Sequence, residues 1–464
     1  MNGSMPSFKE AFPLAMQHVV AMVVGCITPA ILISAVTRQT SDDTVILIQA
    51  SLVLAAIASM IQVYPIFGKI GAKLPIIMGA SFAYVPVLMS IGGNFGLPAI
   101  FGAQIAGGLT AVVVGLFIKQ LRPFFPPIVS GTVVFTIGLS LYPVAIRYMG
   151  GGGGAGNPNF GSALNWGVAI FTLAATTFFT HYTKGFMKLA SVLLGLLAGY
   201  ALACVFGMVS FTKVMETGWV QMPKPFYFPI EFHATAVMSM VIMFIVNSVQ
   251  AIGDISATTV GAMDREPTDC ELSGGIIGSG LASAVGALIG GMPLATYSQN
   301  VGIFAITKVV NRYVVALAAI VIFIAGVIPK FSALLTTVPQ AVLGGATLTV
   351  FAAITMTGMK LIVSAKLTAR NSAVVGISVA LGVGISQVAD VLAGPGMPLW
   401  LHQIFGTSSV IISTIIAVAL NVIIPKDKDD TPLTPPDEEL KELYEDKDEV
   451  ENGLEEFRKE VADI

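Results

Sequence analysis

The chain has 464 residues, of which 11% are charged and 55% are hydrophobic, and its mean hydropathy is +0.83. Soluble globular domains carry roughly 25% charged residues, so this composition excludes a single water-soluble domain and indicates a membrane protein. Residues 1–425 contain 18 Lys and Arg against 11 Asp and Glu, whereas residues 426–464 contain 6 against 16. A basic, nearly charge-free body therefore precedes an acidic tail, and nothing in this pattern indicates nucleic-acid binding.

Apolar windows of the length of membrane-spanning helices follow one another along the chain. A spanning helix needs about 20 apolar residues, and the two windows at 74–90 and 294–307 are shorter and rich in Gly, Ser and Pro. The sequence predicts an all-α polytopic membrane protein with 14 transmembrane segments, at residues 14–36, 44–66, 74–90, 97–118, 126–146, 163–181, 189–210, 233–259, 272–290, 294–307, 313–329, 340–359, 371–391 and 398–424.

The basic residues between these windows predict the orientation of the chain. Loops that follow even-numbered windows contain twelve Lys and Arg, whereas loops that follow odd-numbered windows contain five. Lys and Arg are enriched in cytoplasmic loops. We therefore expect a multi-pass protein of the plasma or inner cell membrane with both termini in the cytoplasm.

Two pairs of motifs indicate an internal repeat. KLPIIMGASFAYV from residue 73 resembles GMPLATYSQNVGI from residue 291, and FPPIVSG resembles VPQAVLGG, which aligns Gly131 with Gly344 at nearly the same spacing. The halves would hold seven segments each, and because seven is odd the second half would be inverted. Paired short segments interrupted by Gly and Pro in inverted halves point to a transporter site near the middle of the membrane.

Asp254 is the acidic residue that lies deep in an apolar window, within FIVNSVQAIGDISATTVGA. A charge at that depth costs ~2.5–3.5 kcal/mol on insertion scales, so it usually faces a cavity or a partner and marks a substrate or ion path. Gln250 precedes it by one helical turn, on the same helix face. Ser256 and Thr258 add hydroxyls nearby, and a purely structural carboxylate remains the alternative.

The tenth window supplies further polar groups in Thr296, Ser298, Gln299 and Asn300. If the chain is extended before Gln299 and then turns into a helix, the free N–H groups at the helix start suit a planar, polar or anionic ligand.

Other candidates lie in the first half of the chain. The third window offers Ser81 and Phe82, whose ring would be a stacking face or an ordinary packing residue. His18, within the first window, would be a structural hydrogen-bonding group or a group that titrates.

Several motifs of the sequence resemble those of a known family. SQNVGIFAITK (residues 298–308) is similar to the signature of the nucleobase–ascorbate transporters, Gln/Glu/Pro–Asn–x–Gly–xxxx–Thr–Arg/Lys/Gly. AIGDISAT resembles the family's motif in the eighth segment, MQHVVAM its motif in the first, and RPFFPPIVSGTVVFTIGLSL is also similar, so that the resemblance covers about residues 10–424.

This resemblance implies a 7+7 inverted repeat with short strands in segments 3 and 10. A core domain would comprise residues 1–118 (segments 1–4) and 232–336 (segments 8–11), and a gate domain residues 119–231 (segments 5–7) and 337–425 (segments 12–14). Residues 426–464 would be the acidic cytoplasmic tail. The gate domain would form a homodimer while the core moves against it in an elevator-type mechanism.

The resemblance also implies a site for a small purine base, with the Gln–Asn signature typical of xanthine and urate carriers rather than uracil carriers. Gln250 and Gln299 would hold the polar edge of the base, Phe82 would stack on it, and Ser81, Ser298 and Asn300 would complete the contacts. Asp254 would be the group that couples transport to an ion. Supporting roles would fall to His18, Thr258, Ser279, Gly302 and Thr307.

Two positions depart from the xanthine-carrier pattern: Gln250 stands where that pattern has Glu, and Ser279 where it has Asp. Asp254 is then the remaining carboxylate of the cluster, which leaves H⁺ coupling, Na⁺ coupling and uncoupled transport open. An amide both donates and accepts hydrogen bonds, whereas a carboxylate only accepts. Gln250 therefore favours a base edge with one donor and one acceptor, and urate or the xanthine monoanion as substrate.

The expected function is thus secondary active transport of purine bases. The alternatives are a permease for uracil or another nucleobase, an anion exchanger of the sulfate or bicarbonate type on the same fold, and a membrane enzyme or receptor. The sequence contains no metal-ligand cluster and no nucleophile–base arrangement, so we expect no catalytic site, no bound metal and no cofactor.

Overall fold

The computed structural model describes residues 7–121, 126–153, 158–388, 390–406 and 408–425, and these residues are mostly helical. Their helices are α1 (Phe8–Val36), α2 (Ser41–Val63), α3 (Val85–Phe95), α4 (Leu97–Leu116), α5 (Ile118–Leu121), α6 (Pro127–Met149), α7 (Ala163–Tyr182), α8 (Phe186–Leu189), α9 (Ser191–Val205), α10 (Thr212–Glu216), α11 (Ala234–Met263), α12 (Asp269–Ala287), α13 (Ser298–Thr307), α14 (Arg312–Val327), α15 (Pro329–Thr336), α16 (Gln340–Ser364), α17 (Ala369–Gln387), α18 (Leu399–Phe405) and α19 (Ser409–Ile423). Two short strands, β1 (Met78–Ala80) and β2 (Leu294–Thr296), complete the described elements. The predicted tail at 426–464 lies outside the described residues.

Eight of the described helices are long and apolar enough to cross a membrane, namely α1, α2, α4, α6, α7, α11, α16 and α17. A ninth span results if α14 and α15, which meet at an angle of 76°, count as one. The bend falls at Ile328, immediately before Pro329, because a residue that precedes proline disfavours the helical conformation. The expected helical membrane protein is confirmed, and the full set of fourteen spans stays a prediction.

The two windows rich in Gly and Pro are broken elements. β1 is followed by a single 3₁₀ turn (Phe82–Tyr84) and α3, and β2 is followed by α13. The strands pair antiparallel, with Gly79 opposite Ala295, and the Tyr297 backbone N–H extends the pairing to the Ile77 carbonyl at 3.0 Å. The short strands expected in segments 3 and 10 are therefore present.

The Tyr297 side chain fastens this strand pair to its surroundings. Its hydroxyl donates to the Ala80 carbonyl at 2.7 Å, and its ring fills the space beside Gly25 and Gly79. A Cβ atom at Gly79 would lie 2.7 Å from the ring, closer than van der Waals packing allows. Gly79 is needed because backbone and aromatic ring meet directly there, whereas a Cβ atom at Gly25 would make a tight contact of 3.1 Å with the Tyr297 hydroxyl.

Helices α6 and α16 pack against each other through reciprocal glycine contacts. A Cβ atom at Gly131 would lie 2.8 Å from the backbone nitrogen of Ile362, and one at Gly344 would lie 2.4 Å from the backbone nitrogen of Met149. Gly131 and Gly344 are the residues that the motif alignment pairs. The same spacing pairs Met149 with Ile362, so each contact is the counterpart of the other.

Other helix pairs also pack closely. α4 packs on α12 and α2 on α14, while α7 packs on α9 and α17 on α19. Between α6 and α16, the Tyr142 hydroxyl donates to the Thr355 hydroxyl at 2.7 Å, and these two positions are 213 residues apart. This is also the spacing between Gly131 and Gly344 in the motif alignment.

The connection from α9 to α11 crosses one end of the helices α2, α4, α12 and α14. We refer to residues 212–231 of this connection as the strap. The strap contacts these helices and the short helix α15 in several ways. Lys213 forms an ion pair with Asp42 at 2.7 Å. The Tyr227 hydroxyl donates to Asp43 at 3.0 Å, and the Gln49 amide donates to the Gln221 carbonyl at 3.1 Å. Backbone hydrogen bonds join Phe226 to Leu288 at 2.6 Å and Glu231 to Pro98 at 3.1 Å, the rings of Phe228 and Phe101 stack, and Lys330 lies over the Trp219 ring.

Candidate functional site

A cavity of about 200 Å³ lies beside the paired strands. One side of it comes from the segment after β1, from the end of β2, from the start of α13 and from α11, and this side carries most of the polar groups. The opposite side comes from α6 and α16 and is mainly apolar, with Val134, Ile137, Ala353, Ile354 and Thr357. The cavity therefore has a polar wall and an apolar wall, built by different sets of helices.

The polar wall brings together residues that are distant in sequence. Five of the six residues expected to contact substrate line the cavity: Ser81, Phe82, Gln250, Ser298 and Gln299. The strand–helix break explains how they meet, because the pairing of β1 with β2 places the starts of the 3₁₀ turn and of α13 next to each other.

The start of α13 also offers backbone donors. The chain is extended through Thr296 and becomes helical at Ser298. Among the described residues, the N–H groups of Ser298 and Gln299 have no backbone carbonyl partner. Together with the helix dipole, these groups suit an acceptor or an anion at the cavity.

The Phe82 ring is fixed at the edge of the cavity. It is 6% exposed and meets the ring of Phe351 on α16 edge to face, with 5.2 Å between ring centroids and 77° between ring planes. Such edge-to-face pairs are favourable for aromatic rings. Phe82 is thus a cavity-lining aromatic held by the opposite set of helices.

Asp254 lies directly behind the polar wall, where it is 9% exposed. The Thr296 hydroxyl donates to its Oδ2 at 2.5 Å and the Ser298 hydroxyl to its Oδ1 at 2.7 Å. The Gln250 amide, one turn earlier on α11, lies beside the same carboxylate. The carboxylate does not line the cavity itself, but three residues of the cavity wall contact it. Thr258 bonds to the Asp254 backbone carbonyl at 2.8 Å.

Asn300 lies away from the cavity lining, although it was expected among the substrate contacts. It is fully buried, and its amide nitrogen lies 3.1 Å from the His18 ring nitrogen and 3.2 Å from the His18 carbonyl oxygen. The His18 ring in turn packs on Phe304, with 4.4 Å between centroids. These contacts tie α13 to α1, so the geometry gives both residues a positioning role.

The remaining signature residues lie at the far end of α13. The Thr307 hydroxyl donates to the Ile303 carbonyl, and the Lys308 ammonium donates to the Gly261 carbonyl of α11 at 2.7 Å. Gly302 is exposed, with open space where a Cβ atom would be. Ser279 is buried in α12, outside the cavity lining.

Sequence reasoning named Thr296 as a source of a hydroxyl but did not include it among the site residues, and it missed the apolar wall. Thr296 is a strand residue that both lines the cavity and donates to Asp254. The wall residues of α6 and α16 had no signal in the sequence, because apolar residues in a membrane helix look alike whether they face lipid or a cavity.

Comparisons with known proteins bear on this site. The model of a permease family, Xan_ur_permease, matches residues 9–391 of the chain. The chain belongs to this permease family. It is 35% identical over 423 residues to the uric acid permease PucJ of Bacillus subtilis, covering 90% of this chain and 92% of PucJ. It is 32% identical over 424 residues to the xanthine permease of the same organism, covering 90% of this chain and 94% of that permease.

Solved structures share the fold at low sequence identity. The transmembrane domain of a cyanobacterial bicarbonate transporter, BicA, aligns with a TM-score of 0.56 at 16% identity, over 89% of this chain and 97% of that domain. The murine anion transporter Slc26a9 aligns with a TM-score of 0.59 at 11% identity, over 91% of this chain and 69% of Slc26a9.

The family assignment drawn from the signature is confirmed by the family model and the curated relatives, and the protein is a transporter rather than an enzyme.

Proposed function

We propose that this permease carries a purine base, with urate and xanthine as the substrates that fit its site best. The named relatives transport uric acid or xanthine, which supports the substrate class. The cavity of about 200 Å³ is smaller than the ~300–1,000 Å³ of pockets for drug-sized ligands, which supports one small ligand. The observation that carries the proposal is the convergence of two amide side chains and an aromatic ring on this cavity.

Gln250 and Gln299 recognise the polar edge of the base in this proposal. Each amide supplies donors and an acceptor, so the pair can match an edge where N–H and C=O groups alternate. Neither amide repels an anion, and the free N–H groups at the start of α13 attract one. Phe82 provides an apolar surface for the flat ring of the base. This combination favours urate or the xanthine monoanion over a neutral pyrimidine.

Asp254 is the proposed coupling group. Its two oxygens accept hydrogen bonds from Thr296 and Ser298, which themselves line the cavity. A proton on either oxygen would turn that oxygen into a donor, so the hydroxyl bonded to it would have to accept this hydrogen bond or turn away. Protonation of Asp254 would therefore change the polar groups that the base meets, and a bound Na⁺ would compete for the same oxygens.

We further propose fourteen spans in two inverted halves. The reciprocal contacts of Gly131 with Ile362 and of Gly344 with Met149 support this arrangement, since an inverted repeat generates each contact from the other. The hydrogen bond between Tyr142 and Thr355, 213 residues apart, supports it in the same way. The excess of Lys and Arg in even-numbered loops supports cytoplasmic termini.

The two walls of the cavity suggest how the base moves. The polar wall belongs to the proposed core domain, and the mainly apolar wall of α6 and α16 belongs to the proposed gate domain. A base bound to the polar wall can slide past an apolar wall without breaking directional hydrogen bonds. This asymmetry supports elevator-type alternating access, with the gate domains of two copies as the fixed homodimer.

In this mechanism the strap would move with the core, although the family resemblance places residues 212–231 in the gate domain. Its contacts are to α2, α4, α12, α14 and α15, and Gly102 has no room for a side chain beside the Glu231 carbonyl. The joint between gate and core would then fall between the end of α9 and Lys213. Gly207, with φ +67° and open space around its Cα, lies in this joint.

Cross-linking tests this division of the molecule. In the double variant Lys213→Cys/Asp42→Cys, a short bifunctional thiol reagent would cross-link the strap to α2 of the core. Cys204 and Cys270 are first replaced by serine so that they do not react. We expect transport to continue, because both ends move together. The control pair, Val133→Cys/Val246→Cys, joins α6 to α11 and should stop transport. Loss of transport in the strap pair, reversed by omission of the reagent, would contradict the proposal.

Thermal unfolding of the purified protein with a panel of bases tests the substrate. Urate and xanthine should raise the midpoint temperature more than hypoxanthine or uracil, and bicarbonate and sulfate should have no effect. Protection by the inorganic anions alone would favour the anion-exchanger alternative.

Uptake into proteoliposomes under separately imposed pH and Na⁺ gradients tests the coupling of transport to an ion. Asp254→Asn should abolish accumulation of the base more than its binding. Equal loss of accumulation and binding would indicate a structural role for Asp254.

A further inference from the structure

A second cavity lies on the outer surface of the helix bundle, between α2 and α14. Its volume is about 290 Å³ and its walls are almost entirely apolar, with Ile57, Met60, Tyr64, Ala319, Ile320 and Phe323 among them. We refer to it as the α2–α14 groove. Ile57 and Ile320 are 42% and 49% exposed, so the groove opens to the surroundings of the helices rather than to the base site.

One end of the groove carries positive charge. Arg312 precedes Ala319 by seven residues and Ile320 by eight, which places it on the same face of α14, about 10–12 Å along the helix at 1.5 Å per residue. Its guanidinium donates to the Lys73 carbonyl at 2.7 Å. Arg312 does not line the groove itself, but within the described residues its other N–H donors have no partner, so unused donors lie about two helical turns beyond Ala319.

Two lysines add to this charge. Lys69 and Lys73 are exposed and form no ion pair in the part of the chain that the structure describes. In the adjoining α11–α12 connection and the first turn of α12, Asp264 is paired with Lys308, Asp269 with Lys119 and Glu271 with Arg265, whereas Glu266 forms no ion pair within the described residues. The three basic groups near the groove therefore outnumber the one unpaired acid of this region.

Aromatic side chains mark the same end. Tyr64, the last residue of the groove on α2, is 48% exposed, and Phe67, in the next turn, is 90% exposed. Aromatic residues gather at the level of lipid headgroups, and anionic lipids of the cytoplasmic leaflet attract basic residues near the membrane surface. Lys69, Lys73 and Arg312 all lie in loops, or at loop ends, that the positive-inside pattern assigns to the cytoplasm.

We propose that the α2–α14 groove binds one anionic phospholipid. An acyl chain lies along the groove between Ile57 and Ile320, and the phosphate meets the Arg312 guanidinium and the two lysines. The match between an apolar channel and an unpaired basic end selects this occupant over a zwitterionic lipid. The site is separate from the base cavity and would hold the lipid whichever base is carried.

Lipid retention measured by native mass spectrometry tests the proposal. Purified protein is exchanged into detergent with dioleoyl phosphatidylglycerol or dioleoyl phosphatidylcholine. Wild type should retain one phosphatidylglycerol in preference to phosphatidylcholine. Arg312→Gln/Lys73→Gln should weaken phosphatidylglycerol binding by roughly thirtyfold, from the usual contribution of two basic groups at an anionic surface. Ile320→Trp, which fills the groove from its rim, should lower the retention of both lipids.

Lys360→Gln/Lys366→Gln removes two lysines that the positive-inside pattern assigns to the same side of the membrane, and it serves as the matched control. It should retain phosphatidylglycerol as wild type does. Equal retention of the two lipids by wild type would overturn the proposal, as would equal losses in the control and the Arg312/Lys73 variant. Displacement of phosphatidylglycerol by inorganic phosphate would also overturn it, since the site would then be an anion site without a lipid.

Discussion

Removal of the Thr296 hydroxyl perturbs the polar wall in the most specific way. Thr296→Val keeps the shape of the side chain but removes the donor that lies 2.5 Å from Asp254 Oδ2. Thr296 is only 4% exposed, so water in the cavity can replace the lost donor much less readily than at a more exposed position. A hydrogen bond to a charged group contributes ~1.5–3 kcal/mol. We therefore expect the free energy of unfolding to fall by about 2 kcal/mol.

Ser298 provides the comparison, because it donates to the other oxygen of the same carboxylate at 2.7 Å. Ser298 is half-buried at the cavity, where water can take over its hydrogen bond at little cost. Ser298→Ala should therefore cost about 1 kcal/mol or less. The difference between the two variants follows from the exposure of the donors rather than from their bond lengths.

Equilibrium unfolding in mixed micelles measures both effects. Thr296→Ser retains a hydroxyl and should behave nearly as wild type. In a double-mutant cycle with Asp254→Asn, the Thr296→Val effect should shrink, with a coupling of more than 1 kcal/mol. Equal costs for Thr296→Val and Ser298→Ala, or additivity in the cycle, would refute the idea that buried hydroxyls hold this carboxylate.

Three further predictions concern the base site and the strap. Gln250→Glu places a second carboxylate beside the first and should lower urate uptake relative to uracil uptake in competition assays; an unchanged ratio would argue against the role of the amide. Asn300→Ala should destabilise the protein by ~1–3 kcal/mol in thermal unfolding without changing the order of preferred bases, and a changed order would place Asn300 in the site after all. Gly102→Ala puts a Cβ atom 1.9 Å from the Glu231 carbonyl oxygen and should lower the unfolding midpoint, whereas Gly167→Ala, which meets open space, should not.

Much of the fold follows from hydropathy and from the breaks within it. Each apolar window except the last coincides with a described helix or with a strand followed by a helix, because burial in lipid demands long apolar stretches with satisfied backbone groups. The details of helix packing could not be predicted from hydropathy. The last window divides into α18 and α19, and the strap turns back over α2 and α12 through side-chain pairs such as Lys213 with Asp42. Contacts of this kind depend on tertiary structure and leave no periodic signal.

The polar part of the candidate site was predictable because polar residues in apolar windows stand out. Gln250, Ser298 and Gln299 were named on that ground together with the family signature, and they share one cavity. Asn300 shows the limit of this reasoning, since a neighbour of Gln299 in sequence points to another part of the helix and bonds to His18. Helical geometry decides which of two adjacent polar residues reaches a cavity.

Uptake of labelled urate and xanthine into proteoliposomes tests the central claim most directly. The protein should accumulate or exchange both purines in a saturable manner, and excess unlabelled uracil should compete weakly. Gln299→Ala, which removes an amide from the cavity wall, should abolish this uptake while the protein remains folded. Uptake dominated by uracil, absence of saturable purine uptake, or full purine uptake by Gln299→Ala would contradict the proposed site and substrate.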